Sequence, residues 1–487
     1  MLIIICTFAH FKGNNMNEEK DNFFSENGAE ELVNRFENVL NNIRGYYFDI
    51  VEFEEIIDHY LSLGNVDLAS RAVEYALKQH PSSTVVQLKN ALVHIEKSQP
   101  LESLDIIRTV EKIESNNPEV KMAKGLALTR LGKIRDALKE FNRAIQLTVD
   151  GKTDVMFNIA IALEQQNYFR TALEYLLKAH KLEPDNLSFI YDIAYCYERS
   201  DQPRKALVYY NKFLDVDPFS ENVWYNMGVL YNRMENYPRA IEAYDFAIAL
   251  DEEFSSAYFN KANTLANNGK YDSAIEVYNE LLFLEENNVQ VICYIGECYE
   301  KLDKPDEALE HYGRALAFDP EYADAWLGKG LVMYSRGSYS QSRVYVEKAL
   351  ALQPENPEYW YSLGNIRLKL DEHREAIKAF RKAVDLDPQD SDSWINMAET
   401  YLGLKNKLGA ITTLEEATGK NPGNALFNYR LAAYHLMNKD GEKAGHCLRI
   451  ALSINYDLHK DFYAYYPRAA RNNAIKKLVN TFDSNRL

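Results

Sequence analysis

Gly151, Lys152 and Thr153 read like the end of a phosphate-cradling loop, in which backbone amides close on phosphate oxygens and a lysine supplies charge. The leading glycine of such a loop falls at position 146, where Gln146 stands, and no strand-like run precedes it. The segment reads as a turn. Gly328 and Gly330 have the spacing of a dinucleotide fingerprint, but Met333 takes the place of its third glycine and the segment lies inside a helical pattern. Neither an HExxH zinc pair nor a GxSxG nucleophile elbow occurs. The cysteines Cys6, Cys196, Cys293, Cys298 and Cys447 form an odd set with no CxxC pair and no cluster of histidines nearby. Cys293 and Cys298 would point about 140° apart on a helix of about 3.6 residues per turn, a poor arrangement for one metal. The ten histidines are scattered. The expectation is no metal, no cofactor and no catalysis.

The 487 residues, 46% hydrophobic and 26% charged with 21 Gly and 14 Pro, exclude collagen-like and largely disordered chains. With 72 acidic residues against 55 basic ones the net charge is −17, so the chain lacks the positive field that nucleic acid or an anionic membrane requires. The tail from His459 to Leu487 is the one basic exception. The opening run MLIIICTFAHFKGNNM is too short to span a bilayer. It also lacks a basic flank and a small-residue cleavage site, so residues 1–15 read as a start placed upstream of Met16 or as a weak leader. Reduced cysteines and no membrane insertion together predict a cytoplasmic protein.

Stepping along the chain for self-similarity, NPEYWYSLGNIRLKLDEHREAIKAFRKAVDLDPQD at 356–390 aligns with segments at 222–254 and 323–356, a period of 34 residues. From Ile50 the register holds for twelve windows to Leu458, with one extra residue in the window 118–152. Counting places within a window, the eighth is Gly or Ala in all but one, from Ala91 and Gly125 to Gly364 and Ala432, with Ile57 the exception. The twentieth is Ala or Ser throughout. Such residues let two helix backbones approach closely. Apolar or aromatic residues at the fourth, seventh and eleventh places, such as Trp360, Leu363 and, one window on, Tyr401, make a stripe on the first of two helices. Trp224, Trp326, Trp360 and Trp394 all occupy the fourth place and read as packing residues. Prolines at the thirty-second place, from Pro81 to Pro422, stop one helix before the next begins. One helix pair cannot bury enough surface to hold itself together, whereas stacked neighbours can.

These residues resemble the tetratricopeptide repeat: a large residue at the fourth place, a Leu-Gly-like pair, Tyr, then Ala, a large residue, Ala and Pro. The resemblance covers residues 50–458 and is strongest from 153 to 458. The window 84–117 departs from it at Ser103, Ile107 and Val110, and the window 425–458 lacks Trp and Pro. The resemblance implies an all-α fold, a right-handed α-solenoid superhelix of stacked antiparallel helix pairs. Residues 1–49 would be an N-terminal extension and capping helix through Leu32, Phe36, Leu40 and Ile43, residues 50–458 twelve units in one continuous solenoid, and residues 459–487 a C-terminal capping helix with a short basic tail.

The resemblance also implies a concave groove lined by the first helices. Phe157, Tyr191, Tyr225 and Phe259 stand at the fifth place, with Asn158, Asn226 and Asn260 at the sixth and Asp192 interrupting them. Spaced asparagines resemble the ladder of O-linked N-acetylglucosamine transferases, where amides hold an extended peptide backbone. Each amide carries both a donor and an acceptor. The same rings have a second reading, as packing against the adjacent repeat. No window has the fifth-place Lys of a carboxylate clamp, and Glu164, Glu198, Glu297 and Glu300 make the groove acidic, so the acidic tails of heat-shock chaperones are disfavoured partners. The function expected is a non-catalytic scaffold gripping an extended segment of a client protein or peptide, with a self-associating structural or assembly scaffold as the alternative. Residues 153–458 alone are expected to unfold cooperatively from a strongly helical state, and the window 357–390 alone to be unstructured by circular dichroism. A folded, cooperative single window would sink the repeat reading.

Overall fold

Each repeat turns at its fifteenth place. The residue there is left-handed in all twelve windows, with φ between 55° and 75°. Gly64, Gly132, Gly269 and Gly337 meet that demand without strain, but eight other turns hold a residue with a side chain, Glu235 and Lys405 among them. Hydrogen bonds offset the strain. At Asp371 the backbone N–H donates to the Leu368 carbonyl at 3.1 Å, and that of Glu372 reaches back to Arg367 at 2.8 Å, closing the end of the first helix.

The computed structural model describes residues 21–41 and 46–484. Their regular structure is entirely helical, and from Ile50–Ser62 to Gly441–Ile454 the helices form twelve consecutive pairs. They belong to two compact units that divide between Leu250 and Asp251. The first unit holds helix Asp21–Leu40 and six pairs; the second holds six pairs, helices His459–Tyr465 and Asn473–Ser484, and a short turn of 3-10 helix between those two. The expectations for residues 1–15, Cys6 and Ile43 lie outside the described residues. The extra residue of the window 118–152 is absorbed in the loop before helix Lys152–Gln165, where Gly151 is left-handed at φ 71°.

Packing within a pair follows the small residues. All twelve side chains at the twentieth place are fully buried, Ser103 and Ser342 included. At the eighth place, a Cβ built on Gly125, Gly228, Gly296 or Gly364 would overlap the ring of Phe141, Tyr244, Tyr312 or Phe380, which lies across it from the second helix. The departing window 84–117 packs the same way, with Ile107 and Val110 fully buried. The tryptophans do more than fill space. Each donates its indole N–H to the carbonyl of the proline that ends the preceding repeat: Trp224 to Pro218, Trp326 to Pro320, Trp360 to Pro354 and Trp394 to Pro388, at 2.8–3.1 Å. Only Trp394 is buried; the other three lie partly exposed across the junction.

The ends are covered. Phe36 of helix Asp21–Leu40 is fully buried among Phe48, Phe53, Tyr60 and Tyr75, with ring centroids 5.8–6.4 Å away. At the other end Phe462, Ile475 and Val479 join the cluster of Leu448, Ala451 and Leu452. Because the Phe380 ring occupies the space over Gly364, Gly364→Leu is expected to cost about 1–3 kcal/mol by overpacking. A lowered urea midpoint at unchanged slope reads this directly, and an unchanged midpoint would refute the packing.

Candidate functional site

In the first unit the first helices Ile50–Ser62, Thr84–Glu96, Pro118–Arg130 and Lys152–Gln165 abut one another in series. In the second, Val289–Lys301, Ala323–Ser335 and Pro357–Lys369 do the same. Along these two stretches the first helices lie side by side. Polar side chains tie them together. Lys89 donates to both oxygens of Asp58 at 2.7 Å and lies 3.0 Å from Glu54. Asn396 donates to the Asn365 amide oxygen at 3.1 Å, and Arg430 lies 3.5 Å from Glu399. All three donors stand at the sixth place, and each reaches back to the preceding first helix.

The sixth-place asparagines expected to form a ladder share this geometry in part. In the first unit Asn226 donates its amide N–H to the Tyr191 hydroxyl at 3.0 Å, and Asn158 is only 8% exposed. The fifth-place rings are half-buried. Phe157 packs on Phe189 at 5.1 Å, Tyr191 on Tyr210 and Phe213 at 5.9 and 6.1 Å, and Tyr225 on Tyr244 at 6.0 Å. Each ring keeps one part on its neighbours and another part open. In the second unit Phe259 lies 6.5 Å from Tyr278 and 5.8 Å from Tyr294, and Asn260 is half-buried. The structure thus joins Tyr191 to Asn226, and places Phe259 and Asn260 in a different unit from the other five residues.

Sequence reasoning took Asp192 as a gap in the ladder and Glu164 as one groove carboxylate among several. The two act on each other. Burial pushes Glu164 up from 4.5 to about 8, with the Asp192 carboxylate adding repulsion, although Cys196 donates its thiol to Glu164 Oε1 at 3.1 Å. Burial likewise pushes Asp192 up to about 7. Neither has a cation within ion-pair reach among the described residues. Arg199 turns its guanidinium onto the Phe169 ring at 5.2 Å, and Arg233 pairs with Asp201 at 2.6 Å. The spacing alone does not show this: the offset between the two first helices sets Glu164, at the twelfth place, beside Asp192 and Cys196, at the sixth and tenth places of the next window. No group of three or more His, Cys, Asp or Glu among the described residues is placed to hold a metal ion.

Stacked helix pairs of one length, tied along their first helices, define an all-α repeat protein. Family models of the tetratricopeptide repeat match residues 225–288, 301–366, 357–390 and 379–412, so the chain carries tetratricopeptide repeats over these stretches. No curated protein matches it. Among solved structures it is similar to the Cut9 and Hcn1 hetero-tetramer of APC/C, at 15% identity over 89% of this chain and 98% of that one with a TM-score of 0.39. A tetratricopeptide repeat protein from Parabacteroides merdae matches at 14% identity over 55% of this chain and 98% of that one, with a TM-score of 0.42. YrrB, described as having an unusual peptide-binding site, matches at 22% identity over 39% of this chain and 98% of that one, with a TM-score of 0.32.

The raised Glu164 value sets a pH dependence. Between 4.5 and about 8 the folded chain holds this proton more tightly than the unfolded chain, so the contribution to stability is full below 4.5 and is lost as pH rises through 8. Glu164→Gln cannot ionise and escapes that loss. Its melting temperature is expected to match the wild type at about pH 4 and to exceed it at about pH 9, by stability on the order of 1–3 kcal/mol after solvent screening. A difference independent of pH would refute the assignment.

Proposed function

We propose that this protein is a non-catalytic interaction scaffold that grips an extended segment of a client protein along its first helices. The observation that carries this reading is the row of fifth-place rings on the first helices, which packing leaves half open. Aromatic rings supply apolar contact at low entropy cost. In the first unit the row is Phe157, Tyr191 and Tyr225, with Asn158 and Asn226 beside it; in the second it is Phe259 with Asn260. The Asn226 amide oxygen accepts no hydrogen bond among the described residues, which suits a peptide N–H. Four described cysteines are free, as a cytoplasmic protein would keep them, and no described helix is long and apolar enough to cross a membrane.

The test begins with a crosslinking pull-down by the intact chain, which maps the client segment, and continues with titration of that segment as a peptide. Asn226→Ala/Asn260→Ala is expected to weaken binding by roughly 0.5–1.5 kcal/mol for each hydrogen bond lost. Asn226→Ala alone, which gives up the bond to Tyr191, should lose no more than about the same amount of stability. Equal affinity per folded molecule for variant and wild type removes the amides from the reading, and crosslinks confined to the second helices remove the groove.

A further inference from the structure

We propose that the client segment received by the first unit is basic, and that one of its lysine or arginine side chains meets Glu164 and Asp192 while the flanking residues lie on Phe157, Tyr191 and Tyr225. The proposal rests on the groove reading above and names the chemistry of its occupant.

Charge complementarity is the argument. Elsewhere on the same face of this unit three carboxylates are matched from within: Glu54 and Asp58 by Lys89, and Glu96 by Arg130 at 3.8 Å. Glu164 and Asp192 are the departure. They sit on successive first helices, half-buried, with only the Cys196 thiol hydrogen-bonded to Glu164 and no cation in reach. Both nearby guanidinium groups are committed to other partners, Arg199 to Phe169 and Arg233 to Asp201. The next carboxylate, Glu198, accepts from the Tyr210 hydroxyl at 3.2 Å, and the charges of Arg233 and Arg199 act on it. Partly buried, unpaired carboxylates are costly, and a fold retains them where a counter-charge arrives from outside.

The surroundings suit a long basic side chain. Its methylene stem can lie along an aromatic ring while its head reaches a carboxylate, and the ring face itself attracts a cation. Near neutral pH the arriving ammonium or guanidinium ionises the carboxyl groups and their protons pass to solvent. An acidic occupant would meet the two acidic groups of Glu164 and Asp192, and a neutral one would leave both without a counter-charge.

The experiment uses the whole chain at about pH 8 and three peptides of about twelve residues, long enough to cross several first helices. All are built from alanine, leucine and serine, and they differ only in carrying two lysines, two glutamines or two glutamates. Fluorescence anisotropy is expected to show the lysine peptide binding at least about tenfold tighter than the glutamine peptide, with the glutamate peptide weakest. Added salt should narrow the gap. Glu164→Gln/Asp192→Asn should bring the lysine peptide down to the level of the glutamine peptide without lowering the melting temperature, and Glu164→Gln alone should fall between. Equal binding of all three peptides, tighter binding of the glutamate peptide, or a lysine preference that survives the double substitution overturns the proposal and leaves the groove reading standing. Binding of none of them overturns both.

Discussion

The close approach of the two helices in each pair is the constraint on which the rest of the structure depends. It requires a residue no larger than serine at the twentieth place, fully buried in every window, and, in every window but the first, Gly or Ala at the eighth place, over which a ring from the second helix lies in several windows. Interiors packed at crystal-like density leave no slack for an added methylene there. Where the ring is absent, as at Val346, the same approach is kept by other means: Ser342 donates to the Gly330 carbonyl at 2.7 Å. The geometry of the pair is conserved through the array while its chemistry varies.

Between repeats the chain uses different bonds. The indole of a fourth-place tryptophan holds the proline that ends the preceding repeat, and a sixth-place lysine, asparagine or arginine holds the preceding first helix. These are polar contacts on or near the surface, individually worth little over a kcal/mol. Apolar burial against neighbours supplies most of the stability, and the polar ties select one register.

That division explains where function can sit. Positions committed to the pair cannot vary without breaking it, so the fifth, sixth, ninth and twelfth places of the first helices carry what distinguishes one repeat from another. In the first unit they change from matched charges around Lys89 to unmatched carboxylates at Glu164 and Asp192 within a few repeats. Such a change of charge balance on one face alters what that face can hold while leaving the pairs intact.

The period of 34, the small eighth and twentieth places and the proline stops were legible in the sequence, because each reflects contacts inside or between pairs that the windows repeat. The fifth-place rings were legible as a row, and so was the choice between packing and binding that they pose; the structure leaves each ring serving partly as packing. Three features were decided only by tertiary structure. Eight turns hold a left-handed residue other than glycine, because hydrogen bonds to the preceding helix outweigh the strain. Asn226 meets Tyr191, and Cys196 meets Glu164, each pair more than thirty residues apart, because the offset between neighbouring first helices sets those contacts. A repeat period states which residues are equivalent, but the tilt of one pair on the next follows from the packing of the particular side chains between them, and that tilt determines which polar groups find a partner within the chain.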